Sequence, residues 1–383
     1  MNLLYITKTS PLGDAGGGEK RAHEVMSGLA ERGHDIVLLC GKTDPELPKR
    51  TTVDGYDVRH VTCIPSLFFR FPTASFYATR YLFAFLSIPV LAWMLLRNEF
   101  DAVIENMTPY PTLTVIFAKL ARVPIFAIQH EFYDRSCYRT YDPITATIQL
   151  LVQNILRVFS YTAIIVPTSH IAKKLEQYGI PRSRIVVIPN GVDVEGYQMS
   201  DVEHRPQELV TVGRLSKRKG QHFLLESFED VLTEYPKAHL HIVGKGPAMD
   251  SLMRTTHDLE IQNSVTFHGF VSHERKRELL NTSDIFVFAS RQEGFGLVLL
   301  EAMAAGLPVV ARSLPVYEDF FQDGTNGHLL NSNDQDTFTN MVQRLLEDRD
   351  KLESIRSVNE RTAKQFSWDS TVDQTEALLI EAT

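Results

Sequence analysis

The chain has 383 residues, of which 44% are hydrophobic and 22% charged, and its formal net charge is −8. At about 150 residues per domain this length predicts two to three domains, and the composition excludes collagen-like, low-complexity and disordered classes. The negative charge argues against a nucleic-acid binder, because no overall positive field would attract phosphates.

The three cysteines have no CxxC spacing. They favour neither a disulfide framework nor a structural zinc site, and they indicate a reducing compartment. The N-terminus lacks the cationic start and the continuous apolar core of a signal peptide. We therefore expect a cytoplasmic protein.

The N-terminal half predicts strands that alternate with helices. The glycine-rich loop Gly13–Gly18 follows a first strand, and the helix Glu19–Arg32 ends at Gly33. Further strands are predicted at 36–39, 101–105, 124–128 and 163–166. This alternation is typical of a doubly wound parallel sheet.

One stretch of this half resembles a membrane segment. The 16 apolar residues 81–96 lie between Arg80 and Arg97, but a helix of that length spans about 24 Å against roughly 30 Å of hydrocarbon. Pro89 would kink it, so a single membrane span fits poorly. The wider aromatic and cationic stretch 66–97 fits two alternatives equally: peripheral contact with the cytoplasmic membrane face, or an ordinary buried helix.

The pattern restarts in the C-terminal half, after the turn Pro189-Asn190-Gly191 and a polar linker at 200–207. Strands are predicted at 209–212, 239–243, 265–267, 285–289 and 309–310, and helices at 221–235, 248–259 and 367–381. The sequence thus predicts two Rossmann-like α/β domains. The first covers 1–188 together with 367–383, and the second covers 189–366.

The segment Glu293–Val310 is the strongest candidate for chemistry. The predicted helix 296–305 follows a strand, and the free N–H groups at Phe295, Gly296 and Leu297 with the helix dipole would form an anion site. Glu293 and Glu301 are eight residues apart, a spacing that suits two carboxylates holding different parts of one long ligand. The alternative is a solvated loop glutamate and a helix-capping one.

Arg214 and Lys219 form a second candidate site. Both follow the predicted strand 209–212 at its carboxyl end, where open α/β sheets bind ligands. Two cations there would suit a phosphate group, since an arginine can bind it bidentately and a lysine acts as a point charge. The alternative is a solvated basic turn.

These residues belong to segments that resemble family 4 of the retaining glycosyltransferases, which have the GT-B fold. Residues 293–308 resemble the E-x7-E signature of the family, 189–193 its interdomain turn, 212–220 its G-R-L-x-x-x-K-G segment and 366–368 the start of its terminal helix. The resemblance covers nearly the whole chain. It implies two Rossmann-like domains that face each other across a cleft, with the last helix returning to the first domain.

The resemblance also implies an activity. A hexose or N-acetylhexosamine would move from a UDP- or GDP-linked donor to a glycan or lipid-linked acceptor, with retention of the anomeric configuration. Glu301 would hold the ribose, Glu293 the donor sugar, and Arg214 and Lys219 the diphosphate. The nucleotide sugar is a substrate, and neither a cofactor nor a metal is expected.

The remaining site residues come from the resemblance and have plain structural alternatives. Gly16 and Gly17 would cover the diphosphate, and His130 would lie near the donor sugar. Gly244, Gly269 and Phe270 would hold the base, mostly through the backbone. The alternatives are a flexible turn, a structural histidine and an ordinary glycine loop.

Residues 313–318 depart from the family pattern, because many members carry paired glycines before the acid at Glu318. Their absence predicts a stiffer loop here. Two other functions stay open: a nucleotide-sugar epimerase on the same fold, and an inactive binding or scaffold protein.

Overall fold

The computed structural model describes residues 1–8, 10, 16–42, 44, 46–62, 82–97, 100–107, 113–135, 137–140, 143–199 and 205–383. Within these residues the chain forms two compact units. The first comprises Met1–Gly191 and Trp368–Thr383, and the second comprises Val192–Ser367. Part of the predicted glycine-rich loop (13–15) and most of the aromatic stretch (66–81) lie outside the described residues.

The first unit contains an eight-stranded sheet. Its strands are β1 (Asn2–Ile6), β2 (Asp35–Gly41), β3 (Arg50–Val53), β4 (Tyr56–Val61), β5 (Ala102–Met107), β6 (Ile125–Gln129), β7 (Ala163–Val166) and β8 (Ile185–Val187). They lie in the order β3-β4-β2-β1-β5-β6-β7-β8. All neighbours are parallel except β3 and β4, which form an antiparallel hairpin around Asp54 and Gly55.

The helices of the first unit pack on both faces of this sheet. They are α1 (Gly17–Glu31), α2 (Ile88–Arg97), α3 (Thr114–Ala121), α4 (Cys137–Thr140), α5 (Pro143–Val158) and α6 (Ser169–Gln177). In α1, Ala22, Val25, Met26 and Leu29 are buried at the i, i+3, i+4, i+7 spacing of one helical face. Two separate core clusters result, one on each side of the sheet.

The apolar stretch before Arg97 forms helical segments at 82–86 and 88–97 with a turn at Ser87. This interruption two residues before Pro89 agrees with the expectation that Pro89 would disturb a continuous helix, because the proline nitrogen cannot donate to the carbonyl four residues earlier. Among the described residues, no helix combines the length and the apolar character needed to span a membrane.

The second unit contains a six-stranded, fully parallel sheet. Its strands are β9 (Glu208–Val212), β10 (His239–Val243), β11 (Val265–Gly269), β12 (Ile285–Phe288), β13 (Val309–Arg312) and β14 (Gly327–Leu330), in the order β11-β10-β9-β12-β13-β14. The helices are α7 (Val194–Tyr197), α8 (Gln221–Glu234), α9 (Met249–Asp258), α10 (His273–Thr282), α11 (Leu297–Ala304), α12 (Gln335–Glu347) and α13 (Arg349–Ala363). Core clusters again cover both faces of the sheet.

The last helix, α14 (Trp368–Ala382), belongs to the first unit. Val372 and Leu379 join the core cluster that contains the buried face of α1. The prediction of two doubly wound Rossmann-like units with a returning terminal helix is confirmed.

Candidate active site

The strand order of the second sheet indicates where a ligand would bind. From β9 the chain proceeds outward to β10 and β11, then returns to β12 on the other side of β9. The loops after β9 and β12 therefore leave the sheet at its topological switch point, where open α/β sheets bind ligands. Arg214 and Lys219 follow β9, and Glu293 follows β12.

Lys219 and Glu293 meet at this switch point. Lys219 ends a short 3-10 turn, and its Nζ lies 2.5 Å from Glu293 Oε1. The side chains are only 13% and 10% exposed, so solvent screens the pair weakly. The ammonium also lies 5.3 Å above the centre of the Phe288 ring. The structure thus brings together two residues that are 74 positions apart in sequence.

The start of α11 adds unpaired backbone donors. The backbone hydrogen bonds of this turn begin with Leu299, whose N–H donates to Gly296 O at 2.9 Å. In the described part of the chain, the amides of Gly296 and Leu297 have no acceptor. Together with the helix dipole, they form the predicted anion-binding end.

Gly296 is required where it stands. It has φ +97°, and a Cβ there would lie 2.6 Å from Cε1 of Tyr317. The Tyr317 hydroxyl is buried without a hydrogen-bond partner among the described residues. Burial and the negative charge of Glu293 raise the pKa of Tyr317 well above its ordinary value, so the hydroxyl stays protonated. Phe295 is buried against Phe320 and can offer only its backbone to a ligand.

The second glutamate is held from two other elements. Glu301 lies on α11 with its side chain 4% exposed, and Lys276 Nζ of α10 lies 2.8 Å from its Oε2. Tyr197 of α7 hydrogen-bonds the same carboxylate, and burial together with this contact raises the pKa of Tyr197. Glu301 is therefore an acceptor whose orientation is fixed by two side chains from outside its own helix.

The loops after β10 and β11 lie against each other. Gly244 N donates to Gly269 O at 2.8 Å. Gly244 has φ +136°, and a Cβ there would meet Gly213 O at 2.0 Å, so the loops after β9 and β10 approach too closely for a side chain. Phe270 follows and is 60% exposed. This arrangement leaves backbone groups and one aromatic face available to a planar ligand.

In the first unit, His130 follows β6 and its Nε2 lies 2.5 Å from Asn106 Oδ1 at the end of β5. Asn106 Nδ2 donates to Gly18 O at 3.3 Å in the first turn of α1. Burial, with the nearby charge of Arg21, lowers the pKa of His130 to about 3. His130 is therefore a neutral ring held against the start of α1.

Gly16 and Gly17 open that helix, with Gly16 as its N-cap. One turn further on, Arg21 is buried and donates through Nη1 to Ile188 O and to Asn190 Oδ1. The glycines at the start of α1 are thus tied to the turn at 189–191, where the chain leaves the first unit.

Comparisons with known proteins agree with these features. Residues 15–195 match the family described as Glycosyltransferase Family 4, and residues 198–362 match Glycosyl transferases group 1. The two matches together cover most of the chain. The chain belongs to the family 4 glycosyltransferases.

Individual relatives of this glycosyltransferase are distant. An uncharacterized glycosyltransferase of Methanocaldococcus jannaschii is 28% identical over 212 residues, which are 52% of this chain and 54% of that protein. The chain thus spans about half the length of that relative. The alpha-monoglucosyldiacylglycerol synthase of Streptococcus pneumoniae is 25% identical over 79% of this chain and 69% of the synthase. Anabaena HepE, solved in complex with UDP-glucose, has a TM-score of 0.78 with 20% identity over 100% of both chains.

Two predicted residues of the glycosyltransferase lie at the surface. Arg214 is exposed after β9, and its backbone carbonyl accepts a hydrogen bond from Gln221 Nε2 at 3.2 Å. Glu318 is also exposed, at the end of the 3-10 turn 315–317. Within the described ranges, no group of three or more histidine, cysteine or acidic side chains is arranged to hold a metal ion.

Sequence reasoning missed three residues of the candidate site: Asn106, Lys276 and Tyr317. Each takes its place in the site through the tertiary fold. Lys276 and Glu301 are 25 positions apart, and Asn106 and His130 are 24 apart. Only Asn106 carried a local signal, since it is a polar residue at the carboxyl end of an apolar strand.

Proposed function

We propose that this protein is a retaining glycosyltransferase that moves a hexose or N-acetylhexosamine from a UDP- or GDP-linked donor to a lipid-linked acceptor. The observation that carries the proposal is the pair Lys219–Glu293 beside the unpaired amides of α11, at the switch point of the second sheet. This crevice offers a cation, bare N–H groups and two fixed carboxylates. Those groups match a diphosphate with a sugar on each side.

In this proposal the diphosphate is the leaving group, and its stabilisation is the main catalytic effect. As the sugar–phosphate bond breaks, negative charge grows on the phosphate oxygens. Lys219 and the amides of Gly296 and Leu297 are fixed donors for that charge, so little reorganisation accompanies the transition state. Arg214 can bind two oxygens at once, and its exposed side chain is free to turn toward them.

The carboxylates have binding roles in this scheme. Glu293 is already paired with Lys219, which suits a hydrogen-bond acceptor for sugar hydroxyls better than a nucleophile. A phosphate oxygen of the donor would take the proton of the acceptor, which retains the anomeric configuration without a covalent enzyme intermediate. Glu301 would accept hydrogen bonds from the ribose, and Gly244, Gly269 and Phe270 would contact the base.

A lipid-linked acceptor at the cytoplasmic membrane face is supported by the surface of the first unit. Phe85, Trp93, Leu96 and Leu120 are 70%, 48%, 63% and 68% exposed on neighbouring helical segments. Arg97, Lys119 and Arg122 are exposed beside them. Aromatic and aliphatic side chains flanked by cations suit an anionic bilayer surface. The Streptococcus pneumoniae relative is named for a glycolipid product.

Vesicle flotation tests this membrane contact. The protein should float with vesicles that contain phosphatidylglycerol and bind less to purely zwitterionic ones. Changing both Trp93 and Leu96 to Ser should abolish flotation while leaving the melting temperature unchanged. Equal recovery of this variant and the wild type with anionic vesicles would contradict the assignment of the surface.

Product analysis tests the reaction itself. The protein is incubated with UDP-glucose, UDP-N-acetylglucosamine or GDP-mannose, with and without a membrane lipid extract. We expect release of UDP or GDP that depends on the extract, and NMR of the product should show the anomeric configuration of the donor. Conversion of a donor incubated alone into its epimer would favour the epimerase. No turnover of any donor, despite tight nucleotide binding, would favour a binding protein.

A further inference from the structure

The cation that holds Glu301 belongs to a helix that carries none of the predicted site residues. Lys276 lies on α10, between β11 and β12, and its side chain is 14% exposed. Its Nζ lies 2.8 Å from Glu301 Oε2 and 5.6 Å above the centre of the Tyr197 ring. The ammonium is thus fixed by a carboxylate and an aromatic face.

Burying the Lys276 ammonium has a desolvation cost that its pairing with Glu301 offsets. An apolar side chain could fill the position of Lys276 on α10 without losing hydration. The Lys276 ammonium and the Glu301 carboxylate both lose hydration here, because their side chains are only 14% and 4% exposed. Replacing such a pair with hydrophobic residues is often neutral or stabilising. The pair therefore contributes more to the orientation of the carboxylate than to stability.

A second anchor defines the direction of the carboxylate. Tyr197 hydrogen-bonds Glu301 and is itself covered by Arg277, whose guanidinium lies 5.4 Å above its ring. Arg277 also pairs with Asp193, which caps α7 through the N–H of Gly196. Donors from α10 and α7 thus hold Glu301, which lies on α11, from two elements outside its own helix.

We propose that Lys276 is a positioning residue that fixes the Glu301 carboxylate for the ribose hydroxyls of the donor nucleotide. The inference rests on the proposed function, because it takes the ligand of Glu301 to be a ribose. Lys276 acts through Glu301, so its effect depends on the hydroxyls of the sugar ring and not on the phosphates.

The test compares nucleotides that differ by one hydroxyl. Binding of UDP, 2′-deoxy-UDP, GDP and 2′-deoxy-GDP is measured by calorimetry for the wild type and for Lys276→Met, Lys276→Arg and Arg275→Met. The last is a matched control, because Arg275 is a partly exposed neighbour on α10 that pairs with Glu278 and not with Glu301. In Lys276→Met we expect about tenfold weaker binding of the preferred ribonucleotide and little change for its 2′-deoxy form, since one well-oriented hydrogen bond is worth about 1.4 kcal/mol.

Lys276→Arg should keep most of the preference for the ribonucleotide, and Arg275→Met all of it. An equal loss for both nucleotides in Lys276→Met, or no loss for either, would overturn the positioning role while leaving the proposed function intact. If the wild type binds none of the four nucleotides, the proposed function itself is contradicted, and the positioning role of Lys276 with it. If Lys276→Met does not fold, Lys276→Gln is measured in its place. The same results would then support or overturn the positioning role.

Discussion

The imidazole Nε2 of His130 lies 2.5 Å from the side-chain oxygen of Asn106. The Asn106 oxygen can only accept, because its amide nitrogen donates to Gly18 O. His130 therefore carries its proton on Nε2 and is neutral, as its pKa of about 3 requires. The ring is a fixed part of the start of α1 and not a group that titrates near neutral pH.

This state of His130 makes stability depend on pH. Between pH 6.5 and about 3 the ring binds a proton in the unfolded chain but not in the folded one, so stability falls as the pH is lowered through this window. From pH 7.5 to 5.0 the loss from His130 should reach at most about 2 kcal/mol. His268, whose pKa burial and the neighbouring His241 lower to about 4, acts in the same direction.

Urea unfolding at pH 7.5 and 5.0 measures this dependence. The free energy of unfolding should fall less in His130→Gln than in the wild type, because Gln cannot titrate. Asp57 lies far from this ring on an exposed part of β4, so Asp57→Asn serves as the control and should keep the wild-type difference. An unchanged pH dependence in His130→Gln would mean that the ring is not the proton-binding group.

The contact between α1 and α14 predicts a steric effect at Gly28. A Cβ on Gly28 would lie 2.6 Å from Cγ2 of Val372, which is closer than any real Cβ contact. Gly28→Ala should therefore destabilise the first unit by about 1–3 kcal/mol despite the better helix propensity of alanine. The double variant Gly28→Ala/Val372→Ala should recover part of that loss in thermal unfolding, relative to Val372→Ala alone. Additive losses would show that the two side chains do not collide.

The second unit contains a buried pair of asparagine side chains, and breaking it should lower the free energy of unfolding by more than the Gly28 substitution does. Asn326 Nδ2 donates to Asn359 Oδ1 at 2.7 Å, and Asn359 Nδ2 donates to Leu307 O at 2.7 Å and to Asn326 O at 3.0 Å. Asn359→Leu removes these three hydrogen bonds from a buried site and should cost about 2–4 kcal/mol in denaturant unfolding. The same substitution at exposed Asn263 should change stability by less than about 0.5 kcal/mol. Comparable stabilities of the two variants would contradict the network.

Most of the sheet scaffold follows from local patterns. Apolar runs bounded by glycine or polar turns predicted the central strands of both sheets, because parallel strands covered on both faces read as continuous hydrophobic segments. The hairpin β3–β4 was missed, although Asp54-Gly55 between alternating residues is a hairpin signal. The reason is its place at the sheet edge, where half-exposed strands such as Arg50–Val53 carry few apolar residues.

The residues of the candidate site likewise fall into those that local sequence patterns predicted and those that only the tertiary structure shows. Lys219, Glu293 and Gly296 could be named from sequence because each lies in the loop after a predicted strand or opens a helix, so the local pattern fixes its place at the sheet edge. Lys276 and Tyr317 could not, since their roles depend on which elements pack together. A lysine in the middle of a polar helix such as α10 has the pattern of a solvated residue, and only the tertiary structure places it beside Glu301.

The Lys219–Glu293 pair gives the most direct prediction for the proposed reaction. Lys219→Ala removes a fixed positive charge from the leaving diphosphate, and turnover should fall about 10²–10³-fold. Lys217→Ala is the matched control, because Lys217 lies in the same 3-10 turn with its side chain exposed, and its turnover should stay within about twofold of the wild type. Initial rates of UDP or GDP release, together with melting temperatures, separate loss of chemistry from loss of fold. Turnover of Lys219→Ala close to that of Lys217→Ala would exclude the switch-point crevice as the diphosphate site.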